Sequence, residues 1–392
     1  MKKTQKYFLG LFLTIFIALA GCYQSSSMAS NEIIPFDSDR WEIEALESRV
    51  EDYLGQQSLF LQGGFAVVKD SEFTDGIIEY DIAFDSDQFG FPGNVWRLQD
   101  FDNFERFYMR PHQSGNPDAT QYAPFFNDVN SFQLYSGIEN YSAGVTFPFK
   151  EWIHVKLIVS GKNAEIYVDD MEKPALIVAE LKRDLEPGKV GVYSEASKSD
   201  RYELAGAHYA NFTYTSTSNP PLKTEIQPIE KAPETTVMSW LVSNSFQEQD
   251  LDNKYQLFTE QEKENLNWTQ LAADDSGLTN LSKVQGIKDG KNTVFARKTI
   301  VADRDTIKQL KFGFSERVKV YLNGRLLYGG NDTIRSRDYR FLGTVGLFDE
   351  LYLPLKAGDN DLWMAVSEGP SWEGWGLIAQ LENLQGVSLT DE

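Results

Sequence analysis

The residues best suited to chemistry lie in one stretch, Arg97-Leu98-Gln99-Asp100-Phe101-Asp102-Asn103-Phe104-Glu105-Arg106-Phe107-Tyr108-Met109-Arg110-Pro111-His112-Gln113, followed by Asn116-Pro117-Asp118 and Gln121-Tyr122. Read as a strand of period two, it sends Tyr108, Arg110 and His112 to one face and Phe107 and Met109 to the other. A face of rings and planar donors suits a saccharide, because rings stack on the apolar faces of sugars while fixed Arg, Gln and Asn groups bond hydroxyls. The candidate ligand-binding residues are Arg97, from a neighbouring strand, with Tyr108, Arg110, His112, Gln121 and Tyr122. The loop over residues 113–119 is expected to clasp the ligand, since loops on rigid scaffolds carry function. The alternative is that these groups stabilise a partly buried sheet face, with Arg110 paired to Asp118.

Other chemistries have less support. His154 and His208 have no Cys, Asp or Glu at metal-ligand spacing and read as structural. Asp100, Asp102 and Asn103 form one acidic loop and Asp274-Asp275 another, so Ca²⁺ is the single cofactor that the loops suggest. Trp372 and Trp375 flank Glu373-Gly374, and Trp372 is a candidate stacking platform. No Gly-x-Ser-x-Gly nucleophile elbow is present.

Cys22 is the only cysteine. Lys2, Lys3 and Lys6 precede an apolar run over residues 7–19, which ends in Leu19-Ala20-Gly21-Cys22, the pattern of a lipoprotein signal peptide over residues 1–21. The run is too short to span a hydrocarbon core of roughly 30 Å. A diacylglyceryl thioether and an acylated amine on Cys22 would supply the two or more chains that stable anchoring requires. Lipidation would also leave no thiol for a disulfide, a nucleophile or a metal. Residues 22–35 then read as a tether, and the expected location is the cell envelope, outside the cytoplasm. Tyr23 is not the inner-membrane retention aspartate, which favours the outer membrane in a two-membrane envelope.

The chain carries 37 Lys+Arg against 58 Asp+Glu, a net charge of −21. Nucleic acid is therefore excluded as a partner, because affinity for it comes from cations that neutralise phosphates.

The elements that must position these residues are strands. With 13% aromatic residues, 14 prolines and many short alternating segments, the chain is expected to be all-β, and its length suggests two domains. Residues 76–84 alternate, with Ile78, Tyr80, Ile82 and Phe84 on one face and Glu79 and Asp81 on the other. Residues 152–159 and 164–168 form a hairpin, and 190–193 and 207–214 are closing strands. The only helical candidate is a turn near residues 43–53. Residues 216–237, with Pro220, Pro221, Pro228 and Pro233 and no aromatics, read as a semi-extended linker between domains at 36–215 and 238–392. That linker is expected to let the second domain reach outward from the tether. In the second domain Asn323-Gly324 marks a hairpin between residues 318–322 and 325–328, residues 351–355 and 361–366 are expected to form another, and 376–381 a final strand.

Asp75-Gly76-x-x-Glu79, Trp152-x-x-Val155-Lys156-Leu157-x-Val159-x-Gly161, Ala164-x-x-Tyr167-Val168-Asp169, Gly188-x-Val190-Gly191 and Tyr209-x-Asn211-Phe212 carry a resemblance. Across nearly its whole length the first domain resembles the concanavalin A-like, laminin-G-like jelly-roll superfamily. Val320-Tyr321-Leu322-Asn323-Gly324, Leu353-Pro354-Leu355-x-x-Gly358-x-Asn360 and Gly374-Trp375-Gly376 are similar to pieces of a galactose-binding-like jelly roll. The resemblances imply two antiparallel β-sandwiches joined by the linker, with Trp375 in the second core. They also imply a sugar-related role, because the superfamily holds lectins, adhesion modules, glycan hydrolases and a bacterial group of 3-keto-disaccharide hydrolases. A laminarinase-type hydrolase would need Glu-x-Asp-x-x-Glu, with two carboxylates about 5–5.5 Å apart in a retaining enzyme. Here Glu79-Tyr80-Asp81 ends in Phe84, so the acid/base position is lost. The expected function is therefore a membrane-anchored glycan-binding lipoprotein whose partner is a saccharide or polysaccharide. A glycan-cleaving hydrolase or lyase is the alternative, and a structural or adhesion lipoprotein the third reading.

Overall fold

The computed structural model describes residues 32–136, 141–195, 205–256, 266–369 and 373–390. The leader, Cys22 and Trp372 lie outside the described residues. Within them the chain forms two antiparallel β-sandwiches, and its only helices are short 3₁₀ turns.

The first sandwich is one continuous sheet folded on itself. Its strand order is Leu176–Val178, Asn163–Val168, Trp152–Ser160, Gly76–Ala83, Ala207–Ser216, Gln56–Val68, Lys189–Ser194, Pro92–Asp100, Asn103–Met109, Thr120–Tyr122 and Ser142–Ala143. Gln56–Val68 links the layers, pairing with Ala207–Ser216 at Leu59 and Leu61 and with Lys189–Ser194 at Gly64 and Val67. The alternation over residues 76–84 holds: Ile78, Tyr80, Ile82 and Phe84 share a core with Trp96, Phe107, Met109 and Val192.

The helical turn expected near residues 43–53 is instead the strand Trp41–Tyr53, paired with Gln56–Val68 from Trp41↔Val68 to Tyr53↔Gln56. Leu54 and Gly55, at φ 46° and 80°, close the hairpin. A long neighbour offering unpaired backbone groups overrides local preference here, and the strand's exposed charges guard the open edge. The expected tether also ends early, because Ile34 is buried and its amide donates to the Phe212 carbonyl at 2.9 Å.

In the second sandwich one sheet runs Trp268–Ala272, Ser239–Ser243, Thr293–Ala302, Gly358–Ser367, Arg317–Leu322 and Arg325–Asn331, with Val387–Thr390 added on Thr293–Ala302. The other runs Thr279–Asn280, Gly376–Leu381, Thr306–Phe314 and Asp349–Leu355. Trp240, Phe312, Phe314 and Trp375 fill the space between them. Asn323 and Gly324, at φ 50° and 80°, make the tight turn that their types favour. The hairpin expected between residues 351–355 and 361–366 does not form, because the two strands belong to different sheets. Asn360 turns that corner, its buried amide donating to the carbonyls of Lys356 at 2.8 Å and Ile300 at 3.2 Å.

The linker does not hold the sandwiches apart. The amides of Lys223 and Thr224 donate to Glu165, that of Ala232 donates to the Asp275 carbonyl, and Ile229 packs on the first core. Val129 of the first sandwich belongs to the second core, while Leu278 of the second lies in the first core. A buried ion pair crosses the seam between Lys182 Nζ and Asp274 Oδ2 at 2.8 Å, with side-chain exposures of 2% and 8%. Lys182 Nζ also meets Glu180 at 2.5 Å, so loss of Asp274 leaves the buried charge with one carboxylate in place of two, a cost at the lower end of the about 3–5 kcal/mol of a broken buried pair. Asp274→Ala is therefore expected to destabilise the protein by about 3 kcal/mol in denaturant unfolding followed by tryptophan fluorescence, and an unchanged midpoint would refute this role.

Candidate functional site

The polar face expected to receive a saccharide is closed. Phe107 and Met109 of Asn103–Met109 enter the core, as their alternation requires. Tyr108, Gln121 and Arg110 lie together behind them but are only 1%, 1% and 6% exposed. Arg110 Nη2 donates to the Tyr108 hydroxyl and to Gln121 Oε1, both at 2.6 Å, and the Tyr108 hydroxyl donates to the same oxygen at 2.8 Å. Gln121 Nε2 donates to the carbonyls of Phe132 and Tyr135. Arg110 Nη1 donates to the Asp118 carbonyl at 2.6 Å, with the Asp118 carboxylate at 3.9 Å. Tyr122 points the other way, into the core, and its hydroxyl donates to Glu105 at 2.5 Å. Buried polar groups must find partners, and these find one another.

Arg106, which sequence reasoning passed over, completes the cluster. Its guanidinium lies 4.2 Å from the Tyr108 ring centroid and 4.8 Å from that of Phe125, and it pairs with Glu195 at 2.8 Å. His112 is not on the strand but in the 3₁₀ turn Pro111–Gln113, with its ring 4.5 Å from that of Phe89.

Arg97 does not join this group. It sits at a break in register between Trp96 and Asp100 with φ 46°, a conformation that non-glycine residues seldom adopt. The break accommodates Gly188, where a Cβ would come within 2.5 Å of the Arg97 carbonyl carbon. Arg97 therefore turns to the sandwich end, donating to Thr74 O at 2.8 Å, Gly161 O at 2.6 Å and Asp75 Oδ1 at 3.1 Å. Glu105 stands 3.6 Å from Nη1, which has no hydrogen-bond acceptor.

There Arg97 lines a recess of about 300 Å³. Gln99 and Asn103 come from the adjoining hairpin, Phe126 and Asn127 from the following turn, Lys182 and Arg183 from the segment after Leu176–Val178, and exposed Asp184 and Glu186 from its edge. The second sandwich supplies Lys283. Asn127 Nδ2 donates to the Ser282 carbonyl at 2.7 Å and so fixes Lys283 against the first sandwich. The recess thus lies at the seam and holds four cations and two acids in a chain that is acidic overall.

Electrostatics distinguish the cations. Burial opposes the charge of Lys182, but Tyr141, Asp274 and Tyr135 overcome it and hold its pKa above the usual lysine value. Burial prevails at Arg183 and Lys283 and lowers both pKa values, although nearby acids oppose it. Burial also raises the pKa of Glu105 against the pull of Tyr122, Arg97 and Arg183.

The remaining candidates are engaged elsewhere. Glu79 pairs with Lys156 at 2.6 Å, while Asp81 meets His154 Nδ1 at 2.7 Å and accepts from Asn211. Phe84 is buried, so no third carboxylate completes a hydrolase motif. His208 pairs with Glu51 and stacks on Tyr53 at 3.6 Å. In the loops considered for Ca²⁺, Asp100 accepts from Asp102 and Asn103, Asp274 accepts from Ser276, Leu278 and Lys182, and Asp275 faces Lys231. Among the described residues no three His, Cys, Asp or Glu side chains gather to hold a metal ion. Trp375 is buried, its indole donating to the Val366 carbonyl at 3.1 Å.

No protein-family model matches the chain, and no curated protein matches it. Among solved structures the chain is similar to a carbohydrate-binding module from Bacillus subtilis, at 17% identity over 45% of this chain and 96% of that one, with a TM-score of 0.34. It is also similar to a Bacillus subtilis protein of unknown function with a galectin-like fold, at 15% identity over 47% and 95% of the two chains and a TM-score of 0.32. A putative glycosyl hydrolase from Parabacteroides distasonis matches at 10% identity over 46% and 89%, with a TM-score of 0.32.

Burial, helped by Arg110, lowers the pKa of His112 from 6.5 to about 4. A histidine whose folded pKa lies below its unfolded value contributes stability that is present above pH 6.5 and lost as pH falls toward 4. Unfolding free energies at pH 7 and pH 4.5 are expected to differ more for the native protein than for His112→Gln. Equal differences would show that His112 titrates normally.

Proposed function

We propose that this protein is a membrane-anchored, extracytoplasmic glycan-binding lipoprotein that takes its saccharide in the recess at the seam of the two sandwiches. The observation that carries this reading is the recess itself. Its volume of about 300 Å³ lies at the lower end of small-ligand sites, which suits a sugar unit better than an extended groove-bound chain. The amides of Gln99, Asn103 and Asn127 and the guanidinium of Arg183 line it with planar groups of the kind that bond sugar hydroxyls, each also held in place by a protein partner. Strands and turns of a packed sandwich hold these groups, so little ordering cost accompanies binding. Arg110, Tyr108, Gln121 and Tyr122 act as scaffold in this reading, since they are buried and do not line the recess. Lipid on Cys22 would keep the protein at the cell envelope, with the membrane as its second partner.

Affinity electrophoresis of the full chain carrying Cys22→Ser, through gels containing a panel of polysaccharides, tests the binding. Retention is expected with at least one polymer, and Asn103→Ala should weaken it about tenfold, the equivalent of one lost hydrogen bond. Unretarded migration across the whole panel would overturn the reading. Anchoring is tested separately in cells, where Cys22→Ser is expected to abolish palmitate incorporation and move the protein from the membrane to the soluble fraction. A variant that stays labelled and membrane-bound would refute the anchor.

A further inference from the structure

We propose that the seam recess is an anion subsite, taking the carboxylate or sulfate of an acidic sugar between Arg183 of the first sandwich and Lys283 of the second. The proposal deepens the glycan-binding reading and rests on it.

The four cations of the recess are not equivalent. Lys182 is committed to Glu180 at 2.5 Å and Asp274 at 2.8 Å, and Arg97 to Asp75 at 3.1 Å and Glu105 at 3.6 Å. Arg183 and Lys283 form no ion pair with a carboxylate among the described residues. Arg183 instead donates to the Phe125 carbonyl at 2.6 Å and to Asn103 Oδ1 at 3.4 Å, which anchors one edge of its guanidinium. Both cations lie over the same ring: the Phe126 centroid is 4.8 Å from the Arg183 guanidinium carbon and 5.4 Å from Lys283 Nζ. One cation from each sandwich thus lines the recess beside a single ring, and neither has a carboxylate within ion-pair distance among the described residues.

An oxyanion in the recess would give both cations the charge-assisted partner that they lack and would offset the cost of their burial. Asp184 and Glu186 at the rim, and the net charge of −21, would repel a densely charged polyanion, so the fitting ligand carries isolated charges on a hydroxylated frame. A uronate or sulfated sugar has that form. The site also exists only when the two sandwiches are docked, because each contributes one of the two cations.

Isothermal titration calorimetry on the full chain with Cys22→Ser distinguishes the outcomes. The probes are an oligogalacturonate, a sulfated galactan oligosaccharide, a neutral galacto-oligosaccharide and inorganic sulfate. At least one acidic sugar is expected to bind tenfold or more tightly than the neutral one, and to weaken as salt rises from 50 to 500 mM. Lys283→Gln should weaken it about tenfold, with an unchanged unfolding midpoint as the check that the fold is kept. Lys283→Arg should restore it, and Lys356→Gln, in a surface pair elsewhere, should leave it unchanged. Equal binding of neutral and acidic sugars, or binding indifferent to Lys283→Gln, would overturn the anion subsite while glycan binding stands. Binding of inorganic sulfate without any sugar would overturn the saccharide ligand, and silence toward every sugar would overturn both readings.

Discussion

A lysine with 2% of its side chain exposed stays charged only if the protein supplies an opposite charge, and for Lys182 Glu180 of its own sandwich and the buried Asp274 of the second supply it together. Asp274 is held in turn by the amides of Ser276 and Leu278, and Lys182 lies 5.2 and 5.6 Å from the ring centroids of Tyr135 and Tyr141. The second sandwich therefore helps to balance a charge buried in the first. The exchange of Val129 and Leu278 between the two cores extends the same dependence to apolar packing. Docking on this pair brings Lys283 to the recess wall, so the site's geometry and the junction's stability have a common origin.

The cluster around Arg106, Tyr108 and Arg110 shows what happens to polar side chains when a sheet face is covered. Cations stack on rings and planar donors close on planar acceptors, giving a rigid layer with few groups left for solvent. Such a layer stabilises the sandwich and fixes its turns. Openness passes to the end of the sandwich, where the register break at Arg97 and the close approach of Gly188 part the strands and leave room beside the loops.

Most strands are legible as runs of alternating residues, because a half-buried strand must alternate; Gly76–Ala83 and the Asn323-Gly324 hairpin are clear instances. Where the pattern misled, a long-range partner was the cause. Trp41–Tyr53 is a strand because Gln56–Val68 lies beside it, and residues 351–355 and 361–366 part because Asn360 turns the chain into the other sheet. The site was less legible. Arg97 lines the recess, but its left-handed conformation reverses the direction that simple alternation assigns. Lys182, Arg183 and Lys283 have no spacing that announces them, since a recess made by two domains leaves no periodic trace in either.

The sequence alone determined the all-β class, the strand faces, the turn chemistry and the acidic balance, because each follows from residue type and local spacing. Tertiary structure decided which polar residues are buried, how the linker lies along the first sandwich, and which cations meet across the seam. Those outcomes rest on contacts between residues far apart in the chain: whether an arginine meets a ring, a carboxylate or open space depends on what the rest of the fold places opposite it.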